Sequence, residues 1–129
     1  MTNKEFAKHL EERTRKFAVR VIEISKKLPS SPEGLIIKDQ FTKAGTSVGA
    51  NYREANRARS PRDFKHKMHL CETECAETQY WFEAIRDSHM LEWEAIAADY
   101  EECCQLLGIF TSANDKLGGL AGDKNFSTP

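Results

Sequence analysis

The densest set of charged and polar side chains in this sequence lies between Thr46 and Lys67. Ser47, Asn51 and Glu54 recur at helical spacing, and Arg53, Arg57, Arg59, Arg62, Lys65 and Lys67 follow with only Glu54 and Asp63 as local acids. Cations gathered with so few counter-charges are suited to neutralising phosphates, with little preference for base sequence. Arg53 and Arg57 stand one helical turn apart, and Arg57 to Lys67 straddle a corner between two helices. The bland reading of the same cluster is a solvated or salt-bridged helix end. The polar trio points elsewhere. Further on, Glu74 and Glu77 interrupt an otherwise apolar stripe, and a carboxylate drawn out of water needs a partner. Ser47, Asn51 and Arg53 or Arg57 could supply one, so Ser47, Asn51, Glu54, Glu74 and Glu77 are expected to make structural polar contacts. As catalytic carboxylates they would need a nucleophile, an oxyanion hole or a substrate pocket, and no pattern here provides these.

Metal chemistry receives equally little support. Cys71, Cys75, Cys103 and Cys104 all fall within helical patterns. If the helices carrying them run antiparallel across a turn near residues 88–91, Cys75 comes level with Cys103 and Cys104, which makes a zinc or redox site conceivable. However, Cys71, Cys75 and Cys103 occupy seam positions, where a free thiol packs as a small apolar group. Structural zinc sites favour closely spaced cysteine pairs on turns. Di-iron bundles take a Glu-x-x-His from each of two helices, and this chain offers only Asp63-x-x-His66, with His69 beside it. The expectation is reduced thiols, surface histidines, no cofactor, no metal and no enzymatic activity.

The elements that must position these residues are helices. Phe6, Leu10, Thr14, Phe17, Val21, Ile24 and Leu28 keep the three-four spacing of one amphipathic face, which ends at the Leu28-Pro29 step. Ser30 and Glu33 have capping-box spacing with Pro32 between them, so a second helix starts near Ser31. Its seam runs Ile37, Phe41, Ala44, Val48, Asn51 or Tyr52, and Ala55, and Gly45 and Gly49 give it a face that a neighbouring backbone can approach. Ser60-Pro61-Arg62-Asp63 opens a third helix by the same punctuation. That helix bears the seam Phe64, Met68, Cys71, Cys75, Thr78, Phe82, Ile85 and a second stripe of Leu70, Glu74, Glu77, Trp81 and Ala84. After a turn at Asp87 to Met90, a fourth helix carries Trp93, Ile96, Tyr100, Cys103, Leu107, Phe110, Asn114 and Leu117. Four helices at about 4–28, 31–58, 61–87 and 92–117, joined by short turns, predict an all-α, antiparallel up-and-down four-helix bundle over residues 1–117. Residues 118–129 are expected to form a flexible tail.

At 129 residues the chain suits one domain. Its net charge of −1 conceals an asymmetry: residues 1–67 hold 16 Lys or Arg against 8 Asp or Glu, whereas residues 68–129 hold 3 against 12. Such halves either pair within or between subunits, or mark a basic surface for a polyanion. No apolar run has the length of a signal peptide or of a membrane span, so the expected location is cytoplasmic.

The run KAGTSVGANYREANRARSPRDF, followed by CETECAETQYWFEAI, resembles the 23S ribosomal RNA intervening-sequence protein family over roughly residues 5–117. The family's pattern of a Ser, an Asn and Glu three apart, a basic corner, a Ser and a Phe falls on Ser47, Asn51, Glu54, Arg57, Ser60 and Phe64. The Glu of its third helix falls on Glu77, and Tyr80-Trp81 is typical of one branch. Many members carry Gly where this chain has Ala55. The resemblance implies a bundle that assembles as a ring, typically a homopentamer, with no assigned enzymatic activity. It also implies similarity to the accessory protein of diversity-generating retroelements, a ring that engages a reverse transcriptase and nucleic acid through basic surfaces. The resulting expectation is a bacterial, non-enzymatic ring that binds RNA or DNA through Arg53, Arg57, Arg59, Arg62, Lys65 and Lys67. The alternative is a protein-interaction scaffold or accessory subunit, for example of a reverse transcriptase, that does not itself touch nucleic acid.

Overall fold

The helices begin where the sequence supplies a side chain to cap them. A computed structural model describes residues 1–120 and contains four helices, α1 (Asn3–Ser25), α2 (Pro32–Ala55), α3 (Pro61–Asp87) and α4 (Trp93–Leu120). Thr2 and Glu5 close a capping box on α1: the Thr2 hydroxyl accepts from the Glu5 amide at 3.0 Å, and Glu5 Oε1 accepts from the Thr2 amide at 2.8 Å. Ser31, not Ser30, caps α2 by accepting from the Gly34 amide at 3.0 Å, and Pro32 takes the first helical position. The Ser30–Glu33 box expected from spacing does not form, because a proline at the first turn makes its predecessor the cap. On α3, Ser60 accepts from the Asp63 amide at 3.0 Å.

Both α1 and α2 stop three residues short of the expected ends at 28 and 58. Lys27 and Leu28 donate to Ile24 and Ser25, and Arg57 and Ala58 donate to Glu54 and Ala55. These bonds reach back three residues, so each helix tightens into a final narrow turn just before its proline-containing connection. Between α3 and α4, His89 adopts a left-handed conformation (φ 58°) and the Met90 amide bonds the Ile85 carbonyl at 3.2 Å, closing the end of α3. α4 continues through Gly118 and Gly119 to Leu120, beyond the expected end at 117, and the remainder of the expected tail, 121–129, lies outside the described residues.

Each helix packs against its sequence neighbours, and α1 closes the ring of four against α4, so the chain is an up-and-down bundle. The diagonal helices meet through side chains, as where Tyr52 and Phe110 approach edge-on at 5.7 Å. The core follows the seams: Leu10, Phe17, Val21 and Ile24 from α1, Phe41, Val48 and Tyr52 from α2, Met68 to Ile85 from α3, and Ile96, Cys103, Leu106 and Phe110 from α4. Two positions depart from the expected seams. Phe6 is 48% exposed, and on α4 the fully buried residue is Leu106, with Leu107 only partly covered. Thr14 fits an apolar wall because its hydroxyl donates to the Leu10 carbonyl at 2.9 Å.

Gly45 and Gly49 both face α1. A Cβ on Gly45 would stand 2.7 Å from the Val21 methyls, and one on Gly49 would stand 2.9 Å from the Thr14 hydroxyl. α1 and α2 therefore approach more closely than side chains would allow. The α1–α4 seam is the loosest of the four and is bridged by charge. Arg13 makes two hydrogen bonds to Glu102, at 2.7 and 2.8 Å, and Arg20 makes two to Asp99, both at 3.0 Å.

Candidate functional site

The close approach of α1 to α2 determines what lies beside the basic corner. With Thr14 set against Gly49, the next α1 residue, Arg15, reaches the outer side of α2 where Gly49 and Ala50 present almost no side chain. The result is an open groove of about 840 Å³, floored by Gly49 and Ala50 and walled by the C-terminal turns of α2 and the first turns of α3. Arg15, Arg53, Arg57, Arg59 and Lys67 line it, together with Glu11, Glu54 and Asp63.

Three acids among five cations leave the question of which charges are already matched. Arg53 lies 3.6 Å from Glu11, and the other oxygen of that carboxylate accepts from the Asn56 amide at 2.8 Å. Lys67 pairs with Glu54 across α2 and α3, and this bond holds the ammonium above its ordinary lysine value. Asp63 accepts the backbone amide of Arg59 at 3.4 Å, which leaves the Arg59 guanidinium out of the contact. Among the described residues, Arg15, Arg57, Arg59 and Arg62 make no ion pair with an acidic side chain. Arg62 is exposed on α3 but does not line the groove.

The expected polar contacts separate into several local arrangements. The Ser47 hydroxyl donates to the Lys43 carbonyl at 2.6 Å, and Asn51 Nδ2 donates to the Ser47 carbonyl at 2.9 Å, so both bond their own helix. Glu77 accepts from the Trp81 indole at 3.2 Å, again within one helix. Glu74 is half-buried beside Glu77 and Lys43. Desolvation first, then the charge of Glu77, raises its carboxyl above the ordinary value, and Lys43 partly offsets this. The pairing of Glu74 and Glu77 with Ser47, Asn51, Arg53 or Arg57 does not form, because Arg53 turns the other way, to α1. Of the five residues, Glu54 makes an ion pair between helices, to Lys67 on α3.

The cysteines meet as their level in the sequence implied. Cys75 Sγ donates to the Cys103 carbonyl, and Cys103 Sγ donates to the Cys75 carbonyl, each at 3.5 Å. Cys71, Cys75 and Cys103 are buried free thiols. Among the described residues, no three His, Cys, Asp or Glu side chains come together in a way that could hold a metal ion. No helix among them is long and apolar enough to cross a membrane.

Arg15, Glu11 and the glycine floor are parts of the groove that sequence reasoning missed. Arg15 reads as one charge among many on the outer face of α1. The available signal was Gly45-x-x-x-Gly49, which sets the distance between the helices and so brings that outer face to the basic corner.

Residues 7–112 match the family model described as 23S rRNA-intervening sequence protein. Among solved structures, the chain is similar to a crystal structure from Bacteroides thetaiotaomicron of a protein with unknown function from the S23 ribosomal protein family. The TM-score is 0.77 at 27% identity, over 84% of this chain and 97% of that one. No curated protein matches the chain.

Proposed function

The chain belongs to the 23S rRNA-intervening sequence protein family, and from that premise we propose that it is a non-enzymatic bundle that assembles into a ring and binds RNA through its basic corner. The observation that supports RNA binding is the uneven use of cations. Arg13 and Arg20 are matched to Glu102 and Asp99 on α4, whereas Arg57, Arg59 and Arg62 have no acidic partner among the described residues. If the basic and acidic halves served only to hold the molecule together, the corner would be matched too. Lys65 and Lys67, the latter paired with Glu54, flank this surface on α3, and a ring would repeat the surface around its circumference and multiply its attraction for a polyanion.

The apolar surface supports assembly. At the other end of the α2–α3 pair, Ile36 is 63% exposed and Tyr80 60% exposed. Exposed residues of this size at one end of a helix pair suit a subunit contact. The same exposed side chains favour the second reading, a scaffold or accessory subunit that docks another protein, such as a reverse transcriptase, without touching nucleic acid.

Mass measurement in solution, with and without a single-stranded RNA and at low and moderate salt, tests both parts. The proposed reading expects a multimer whose mass rises with RNA at low salt, with an affinity that falls steeply as salt increases. A multimer that ignores RNA at low salt would leave only the scaffold reading.

A further inference from the structure

We infer that the groove between α1 and α2 is a binding site for a nucleotide phosphate, with Arg15, Arg57 and Arg59 receiving the phosphate and the Gly49–Ala50 floor receiving the sugar or base. This rests on the reading of the basic corner as an anion surface and deepens it: a concave seat on two helices takes one nucleotide unit, in place of a flat patch that attracts any polyanion.

Shape, charge and preorganisation each support the assignment. The groove's volume, about 840 Å³, falls within the roughly 300–1,000 Å³ of small-ligand sites. Its charges divide into two sets, with Asp63, which accepts the Arg59 backbone amide at 3.4 Å, as a further acid on the wall. Glu11 fixes Arg53 and Glu54 fixes Lys67, so those pairs form walls whose charge is already balanced. Among the described residues Arg15, Arg57 and Arg59 remain without ion pairs, and they come from α1, from the turn after α2 and from the start of the α3 cap. Guanidinium groups reaching one space from three backbone segments can surround a phosphate, and their planar donor pairs match its oxygens. The floor is open because Gly49 cannot carry a side chain without striking Thr14, and its neighbour Ala50 is small and exposed. Lys27, an exposed cation in the turn after α1 with no ion pair among the described residues, lies outside both the groove and the basic corner and serves as an internal control.

The phosphate could arrive as part of an RNA chain or on a free nucleotide, and two probes distinguish these. Adenosine 5′-monophosphate is titrated calorimetrically into the full-length protein, and a fluorescein-labelled single-stranded RNA is followed by anisotropy. Both are measured on the wild type and on Arg15→Ala, Ala50→Leu and Lys27→Ala. The inference expects Arg15→Ala and Ala50→Leu each to weaken the mononucleotide at least tenfold, whereas Lys27→Ala leaves it within about twofold. Ala50→Leu fills the floor without changing any charge, so it tests shape alone, and circular dichroism of each variant shows that the bundle is intact. RNA binding much tighter than the mononucleotide, and also lost in Arg15→Ala, identifies the chain as the source of the phosphate. Equal or tighter mononucleotide binding identifies the free nucleotide. Mononucleotide binding that survives Arg15→Ala or Ala50→Leu, or that falls equally in Lys27→Ala, overturns the groove. RNA binding with no mononucleotide response also overturns it but leaves the basic-surface reading intact, and the absence of both removes the two readings together.

Discussion

Burial sets the chemistry of the individual side chains. The Cys71 thiol is pushed up to about 12 by desolvation, and Cys103 is raised by its contact with Cys75 and by burial. A thiol must ionise to react, so these groups are inert while the bundle is closed. Iodoacetamide at about pH 8, near the ordinary thiol value, should therefore leave Cys71 and Cys103 unmodified in the native protein and label all four cysteines after denaturation. Rapid labelling of Cys71 in the native state would show that the seam opens. Glu74 provides a test with the opposite sign to the usual carboxylate. Its folded value is raised above 4.5, so the folded state holds the proton more tightly, and stability falls as pH climbs through the window above 4.5. Glu74→Gln should accordingly raise the melting temperature at neutral pH, with the gain vanishing as the medium is acidified below that window. A variant less stable than wild type at neutral pH would mean that the Glu74 charge is matched. The sequence marked Glu74 as a carboxylate in a contact stripe, but not whether a partner met it, since that depends on which way Arg53 turns.

At the scale of elements, much was legible because punctuation and periodicity act locally. Ser60-Pro61 opens α3 as read, and the α3 seam from Met68 to Ile85 is buried as read. The helix ends were less legible, because a final turn can bond three residues back without altering the apolar pattern. The α4 seam slipped for a similar reason. Leu106 and Leu107 are both compatible with helical spacing, and only packing against the other three helices selects Leu106. Glycines separate local propensity from packing. Gly108 lies in α4 with nothing within 4 Å of a prospective Cβ, whereas one on Gly45 would stand 2.7 Å from Val21. Gly108→Ala should thus stabilise the protein by about 1 kcal/mol through helix propensity alone. Gly45→Ala gains the same propensity but overpacks a buried contact at a cost of about 1–3 kcal/mol, for a net loss of up to about 2 kcal/mol. Urea unfolding of the two variants measures both effects. If Gly45→Ala were as stabilising as Gly108→Ala, the close α1–α2 approach would not be tight, and the floor of the groove would lose its structural cause.

For the whole molecule, the opposed charge of the two halves allowed two outcomes, and the structure shows how part of it is used. Arg13 and Arg20 join the basic half to the acidic half within one chain, which accounts for the charged bridges across the loosest seam. That pairing was not legible beforehand, because it joins residues 89 and 79 positions apart in sequence and is set by the closure of α1 on α4. Among the described residues Arg57, Arg59 and Arg62 of the corner are left over, and their role separates the two functional readings. In the double variant Arg57→Glu and Arg62→Glu, neither position makes an ion pair among the described residues, so the bundle itself should keep its helicity and melting temperature. If the corner binds RNA, affinity at about 0.1 M salt should fall at least about tenfold, because each reversal removes one phosphate contact and adds a repulsion, while the assembled mass stays unchanged. If instead the corner holds subunits together against the acidic face of a neighbour, the same variant should fall to single chains in solution. Mass and RNA affinity measured on one preparation thus answer together. An unchanged mass with unchanged RNA affinity would remove the corner from both readings and leave the apolar end of α2 and α3 as the surface on which this bundle acts.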